Sequence, residues 1–176
     1  MSYEPRPDQW TRQVIAEGTL PSPSPDFLPG GAGAESLRAV TPIVEIEGPL
    51  AQVVSDEFVE EVRRLRVRLY SPRQAPFMMM LPDAAMATIQ AIGVEDQMVE
   101  VDADAGQVSL VLQGVPPEGV VVTIQTFDRQ PVSIDLVDWS FGFDGVTGDL
   151  QARPASLLRR PRWMTDSVLV RRNFWF

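Results

Sequence analysis

The chain has 176 residues, 44% of them hydrophobic, and a formal net charge of −9, a globular composition with length enough for one domain, a sizeable core and an ordered arm. It has no cysteine and no histidine, and its 15 basic residues are all arginine. Disulfides, thiolate metal sites and a cysteine nucleophile are therefore excluded, a zinc site loses its usual ligands, and the acidic balance argues against a phosphate-backbone binder.

The opening stretch, MSYEPRPDQWTRQ, is polar and lacks the apolar region of a signal peptide. A short helix over Asp8 to Glu17 is predicted, capped by Asp8. Pro21, Pro23, Pro25 and Pro29, with Gly30, Gly31 and Gly33, then form a stretch that can hold neither a helix nor a central strand. Residues 1–40 read as an arm or linker, with Trp10 and Phe27 able to pin it down, and residues 41–176 as the folded domain.

Strand signals begin with the alternation of Ile43 to Glu47, followed by Asp56 to Glu61 as an acidic loop or single helical turn. The cleanest period of two comes next: Leu65, Val67 and Leu69 on one face, Arg64, Arg66 and Arg68 on the other, a half-buried antiparallel strand with a solvated arginine face. Ser71 to Pro76 reads as a turn. Further strands are predicted at Phe77–Leu81, Ala87–Ile92, Met98–Val101, Val108–Gln113, Val120–Phe127, Val132–Val137 and Ser167–Trp175, with Met98–Val101 and Val108–Gln113 as a hairpin. Met78, Met79 and Met80 put side chains on both faces of their strand, which implies cover on both sides. Phe141 to Met164 lacks strand patterning and could pack over one end through Leu157, Leu158 and Trp163. The fold class is all-β: an antiparallel two-sheet sandwich, immunoglobulin- or jelly-roll-like, with an N-terminal Pro/Gly-rich arm.

The catalytic vocabulary is thin. Asp102-Ala-Asp104-Ala-Gly106 begins like a calcium loop but lacks the later ligands, so a hairpin turn is the better reading. A serine nucleophile has neither histidine nor lysine as a base. Paired carboxylates could run glycoside hydrolysis, with Glu45, Glu47, Asp135 and Asp138 as candidates, yet all four lie in strand patterns that suit a polar sheet face. Neither basic run, Arg63 to Arg68 or Arg159 to Arg162, interleaves with aromatics as a base-stacking platform would, so no nucleic-acid partner is expected. Trp139, Phe141 and Trp163 could form an interaction surface for sugar or peptide, although such residues more often fill or edge a sandwich core. No apolar run approaches the about 20 residues of a membrane span.

Three segments carry a family resemblance: "VRRLRVRLYSPRQAP" at Val62 to Pro76, "PVSIDLVDWSFGFDG" at Pro131 to Gly145, and "TDSVLVRRNFWF" from Thr165 to Phe176. Together they resemble the C-terminal, β-rich, extracytoplasmic domain of membrane-anchored zinc aminopeptidases, peptidase family M twenty-eight of clan MH, which includes the endoplasmic reticulum metallopeptidases. In the matching pattern Asp138, Ser140 and Gly142 form a D-x-S-x-G turn, and Asp166 and Ser167 start the last strand. Phe143-Asp144 departs from the family's Leu-Pro. The resemblance implies a non-catalytic accessory domain, without cofactor of its own, since the zinc ligands belong to a peptidase domain absent from this segment. Its implied partners are the peptidase and membrane domains of a parent protein, with homodimerisation a further role and no membrane insertion by this domain itself. It also implies an extracytoplasmic, bacterial setting, with any export signal on sequence beyond this segment. A carbohydrate- or peptide-binding sandwich is the alternative.

Overall fold

A computed structural model describes residues 9–13, 21–23, 35–37, 44–83, 88–95, 97–102, 108–142, 154 and 167–176. The chain divides into two compact units, Met1–Glu45 with Asp144–Trp163, and Ile46–Phe143 with Met164–Phe176.

In the first unit, Thr11–Gln13 is a single 3-10 turn, where the Gln13 amide donates to the Trp10 carbonyl at 3.1 Å and Trp10 is buried. Two three-residue strands, β1 (Pro21–Pro23) and β2 (Glu35–Leu37), pair antiparallel. A strand with proline at both ends fits only such an edge position, because proline cannot donate to a ladder. The rest of the predicted Asp8–Glu17 helix, like Phe27, lies outside the described residues.

The second unit is a two-sheet antiparallel sandwich. Its strands are β3 (Leu50–Val59), β4 (Val62–Tyr70), β5 (Phe77–Pro82), β6 (Ile89–Val94), β7 (Gln97–Glu100), β8 (Leu110–Gln113), β9 (Val120–Thr126), β10 (Ser133–Phe141) and β11 (Ser167–Trp175). One sheet has the order β3-β4-β9-β6-β7 and the other β11-β10-β5-β8. The inward faces follow the period of two. Leu65, Val67 and Leu69 of β4, Met78 and Met80 of β5, Val122 and Ile124 of β9, and Ile134 and Leu136 of β10 form one buried cluster, each side chain contributing about 2 kcal/mol through burial. Met79 is also buried at 8% exposure, so β5 is covered on both faces as its methionine triplet implied.

Three local expectations fail. Val44 to Pro49 contains no strand, and the acidic Asp56 to Val59 is instead the end of β3. β7 and β8 do not form a hairpin: β7 pairs with β6 in one sheet, and β8 with β5 in the other. The chain between them therefore crosses from sheet to sheet, so the turn expected within Asp102 to Gly106 does not join a hairpin; residues 103–107 lie outside the described part. Finally, Asp138 and Ser140 do not sit in a turn. They are interior to β10, Asp138 paired with both β5 and β11 and Ser140 with β11. Only Gly142, at φ +82°, leaves the extended conformation.

Gly119 shows what the turn before β9 requires. Its φ is +82°, its amide donates to the Pro116 carbonyl at 2.9 Å, and a Cβ there would lie 2.5 Å from the Leu69 carbonyl oxygen. Only glycine combines that backbone angle with that approach.

Candidate functional site

Two of the motif segments, 67 residues apart in the chain, meet around one carboxylate. Asp138 projects from the inward face of β10 and is fully buried. Its Oδ2 accepts a 2.5 Å hydrogen bond from the Ser71 hydroxyl, and its Oδ1 accepts one of 2.5 Å from Arg73 Nη2. The other arm of the guanidinium, Nη1, donates to Ser140 Oγ at 3.1 Å. Ser71 Oγ in turn accepts from the Ala75 amide at 3.3 Å, and the Gln74 amide donates to the Ser71 carbonyl at 3.0 Å. Gln74 has φ +52°, a conformation that costs a non-glycine residue roughly 1–2 kcal/mol. The Ser71–Pro76 turn is thus strained at one residue and tied to the core by a charge-assisted network.

This arrangement orders a turn. The Asp138 carboxylate has two short donors and no solvent contact, and the Ser71 proton is already committed to it. Of the four acids considered for an acid pair, Glu45 and Glu47 are exposed. Asp135 lies on the opposite face of β10 from Asp138, where Arg171 and Asn173 bond it. The two β10 carboxylates therefore do not converge on a shared cleft. Among the described residues no group of three His, Cys, Asp or Glu side chains is placed to hold a metal ion.

A second arginine–carboxylate pair lies near the other end of β4. In sequence the basic run of Arg63, Arg64, Arg66 and Arg68 reads as a solvated strand face, and for Arg63 the structure corrects this. Parity puts Arg63 on the core side, where it is 8% exposed. Its Nε and Nη2 form a two-pronged contact with Asp56, both bonds 2.8 Å, and Nη1 reaches the Gln130 carbonyl at 2.9 Å. These hydrogen bonds hold the Asp56 carboxyl below its ordinary range and raise the Arg63 guanidinium above its own. The missed signal was an acid seven residues before an arginine of core-facing parity.

The aromatic candidates separate. Trp139 is buried on the second face of the β10 sheet, its ring stacked on Phe77 with centroids 4.9 Å apart. Phe141 is 53% exposed and meets both rings edge-on, at 6.1 Å from Trp139 and 5.5 Å from Phe77. The planes of Trp139 and Phe141 are 69° apart, so these two do not make a flat stacking platform. Trp163, Leu157, Leu158 and the Arg159–Arg162 run lie outside the described residues.

Two shallow concavities are lined by described residues of the sandwich. One, of about 280 Å³, is lined by Glu57, Glu60, Arg64, Gln90 and Gln125 beside the β3–β4 turn; the other, of about 390 Å³, lies between Ile46–Leu50 and Val170–Arg172. Both are open and mixed in polarity, unlike the mostly apolar, enclosed pockets that bury a small ligand. Among the described residues no helix is long and apolar enough to cross a membrane. No protein-family model, curated protein or solved structure matches the chain.

Proposed function

We propose that this chain is a non-catalytic accessory β-sandwich domain, and that its parent is a membrane-bound zinc aminopeptidase-like protein whose peptidase domain it packs against or modulates. The observation that carries the reading is the Asp138 network. The motif residues with most chemical potential, Ser71, Arg73, Asp138 and Ser140, are consumed in bonding one another, which is how fold markers behave. The parent's identity rests on the three sequence segments quoted above, and the extracytoplasmic setting goes with it.

The test is the native polypeptide. An antibody raised against the sandwich should detect, in source cells, a membrane-fraction protein far larger than this 19.5 kDa chain, and its immunoprecipitate should contain stoichiometric zinc and cleave aminoacyl substrates. The isolated chain should do neither. A native species of the chain's own mass, found without zinc or peptidase activity, would overturn the parent assignment. Zinc binding or cleavage by the isolated chain would overturn its non-catalytic role.

A peptide- or carbohydrate-binding module is the second reading, favoured by the exposure of Phe141 against a buried aromatic pair. It requires that Phe141→Ala abolish binding to a glycan or peptide array while leaving the circular dichroism unchanged.

A further inference from the structure

The four edges of the sandwich are unequally protected. A sheet edge presents unpaired backbone groups to any passing strand, and proteins blunt it with short strands, charges or bulges. β7 and β8 are four residues each. β11 is nine residues long but carries the exposed Arg171, Arg172 and Asn173 at its centre. β3 differs from all three: it is ten residues long, and it holds four of the large hydrophobic side chains exposed on the surface. Val53 is 46% exposed, Val54 45%, Phe58 40% and Val59 59%. Its blunting devices are a bulge between Val53 and Ser55 and the two acids Asp56 and Glu57, all of them outside the uncharged Leu50–Val54 stretch or at its end.

Charge is distributed along this edge in a self-complementary way. Leu50 to Ser55 contains no charge, whereas Asp56, Glu57, Glu60 and Glu61 crowd the other half and the turn. Behind the neutral half, on the next strand, stand Arg68 opposite Gln52 and Arg66 opposite Ser55, and the row continues behind the acidic half with Arg64 opposite Glu57, while the turn acids Glu60 and Glu61 lie beyond its end. Asp56 is already neutralised by Arg63. A second copy laid antiparallel about a two-fold axis at the bulge brings the acidic half of each β3 beside the neutral, arginine-backed half of the other. Parallel pairing would instead set acid against acid. Such an isologous contact is the commonest way soluble chains associate, and like charges directly opposite are what cross-strand pairing avoids.

We infer that β3 is a homodimerisation edge: two copies pair their β3 strands antiparallel around Val53–Val54, joining two five-stranded sheets into one of ten. The exposed valines meet at the axis, and Glu57 of each copy faces the arginine row of the other. The strained β3–β4 turn belongs to the same device. Glu60 and Glu61 occupy φ +50° and +68°, where glycine or asparagine is usual, so carboxylates stand at the tip in place of easier residues.

The absence of cysteine makes the test clean. In the full chain, Val53→Cys and Val54→Cys, made separately and treated with a short bismaleimide, should give covalent dimers with unchanged circular dichroism. Val99→Cys, on the exposed edge β7, serves as the collision control. Sedimentation equilibrium of the unmodified chain should show a monomer–dimer equilibrium. Glu57→Arg and Arg68→Glu should each weaken it at least about tenfold, and the double exchange should restore it. A monomer at every concentration, or cross-linking no faster than in Val99→Cys, would overturn the proposal, as would a dimer indifferent to both charge changes.

Discussion

The two ends of β4 are each secured by an arginine and an aspartate, yet the pairs are built for different circumstances. At the Ser71 end, Asp138 has no exposure and the Arg73 side chain 16%. At the Arg63 end, Asp56 keeps 42% of its side chain in solvent. The geometric quality of the hydrogen bonds is similar, so burial decides what each pair is worth. Breaking a buried pair leaves an uncompensated charge out of water; breaking a half-exposed one hands the orphan to solvent.

That contrast orders the expected effects. Asp138→Ala should be the most damaging change, lowering unfolding free energy by about 3–5 kcal/mol in urea titration. It removes the acceptor of both Ser71 and Arg73 and unties the Ser71–Pro76 turn. Gly119→Ala, which presses on the Leu69 carbonyl near the same end of β4, should cost about 2 kcal/mol through its left-handed backbone and the clash. Equal losses in these two variants would undo the claim that the buried ion pair dominates that end. At the other end a gain is expected: Glu60→Asn with Glu61→Gly supplies the residues a two-residue hairpin turn prefers and should stabilise the isolated sandwich by about 1 kcal/mol.

Asp56→Asn should produce the smallest change, under about 1 kcal/mol at neutral pH, and its pH dependence identifies the cause. Because hydrogen bonding to Arg63 lowers the Asp56 pKa in the folded state, the pair's contribution is complete above the unfolded carboxyl's pKa of about 3.9 and fades as pH falls through the folded value. Stability curves of the parent chain and of Asp56→Asn should therefore run parallel above about pH 5 and converge below about pH 4. Convergence on the alkaline side would mean another group is responsible.

The contrast also separates what sequence could and could not disclose. Two strands were legible, β4 through its leucine–arginine period and β11, without such a period, over its full Ser167–Trp175 span. β3 was obscured because its end is acidic, and acids in a row read as a loop when the arginine neighbour that tolerates them is unknown. The separation of β7 from β8 was invisible for a different reason: which sheet a short strand joins depends on long-range pairing, here with β6 and β5. Asp138 was noticed as a motif residue and read as polar sheet face; nothing local reveals that its partners lie 67 and 65 residues away. The aromatic set likewise looked uniform in sequence, while the fold buries Trp139 and exposes Phe141.

The most direct trial of the Asp138 assignment is a double-mutant cycle with Arg73, using alanine at each position and equilibrium urea unfolding. A structural latch predicts that each single change is severe, and that the double change costs less than their sum by about 2 kcal/mol or more. Additive effects, or an Asp138→Ala chain as stable as the parent, would contradict it and return that carboxylate to the list of groups available for chemistry.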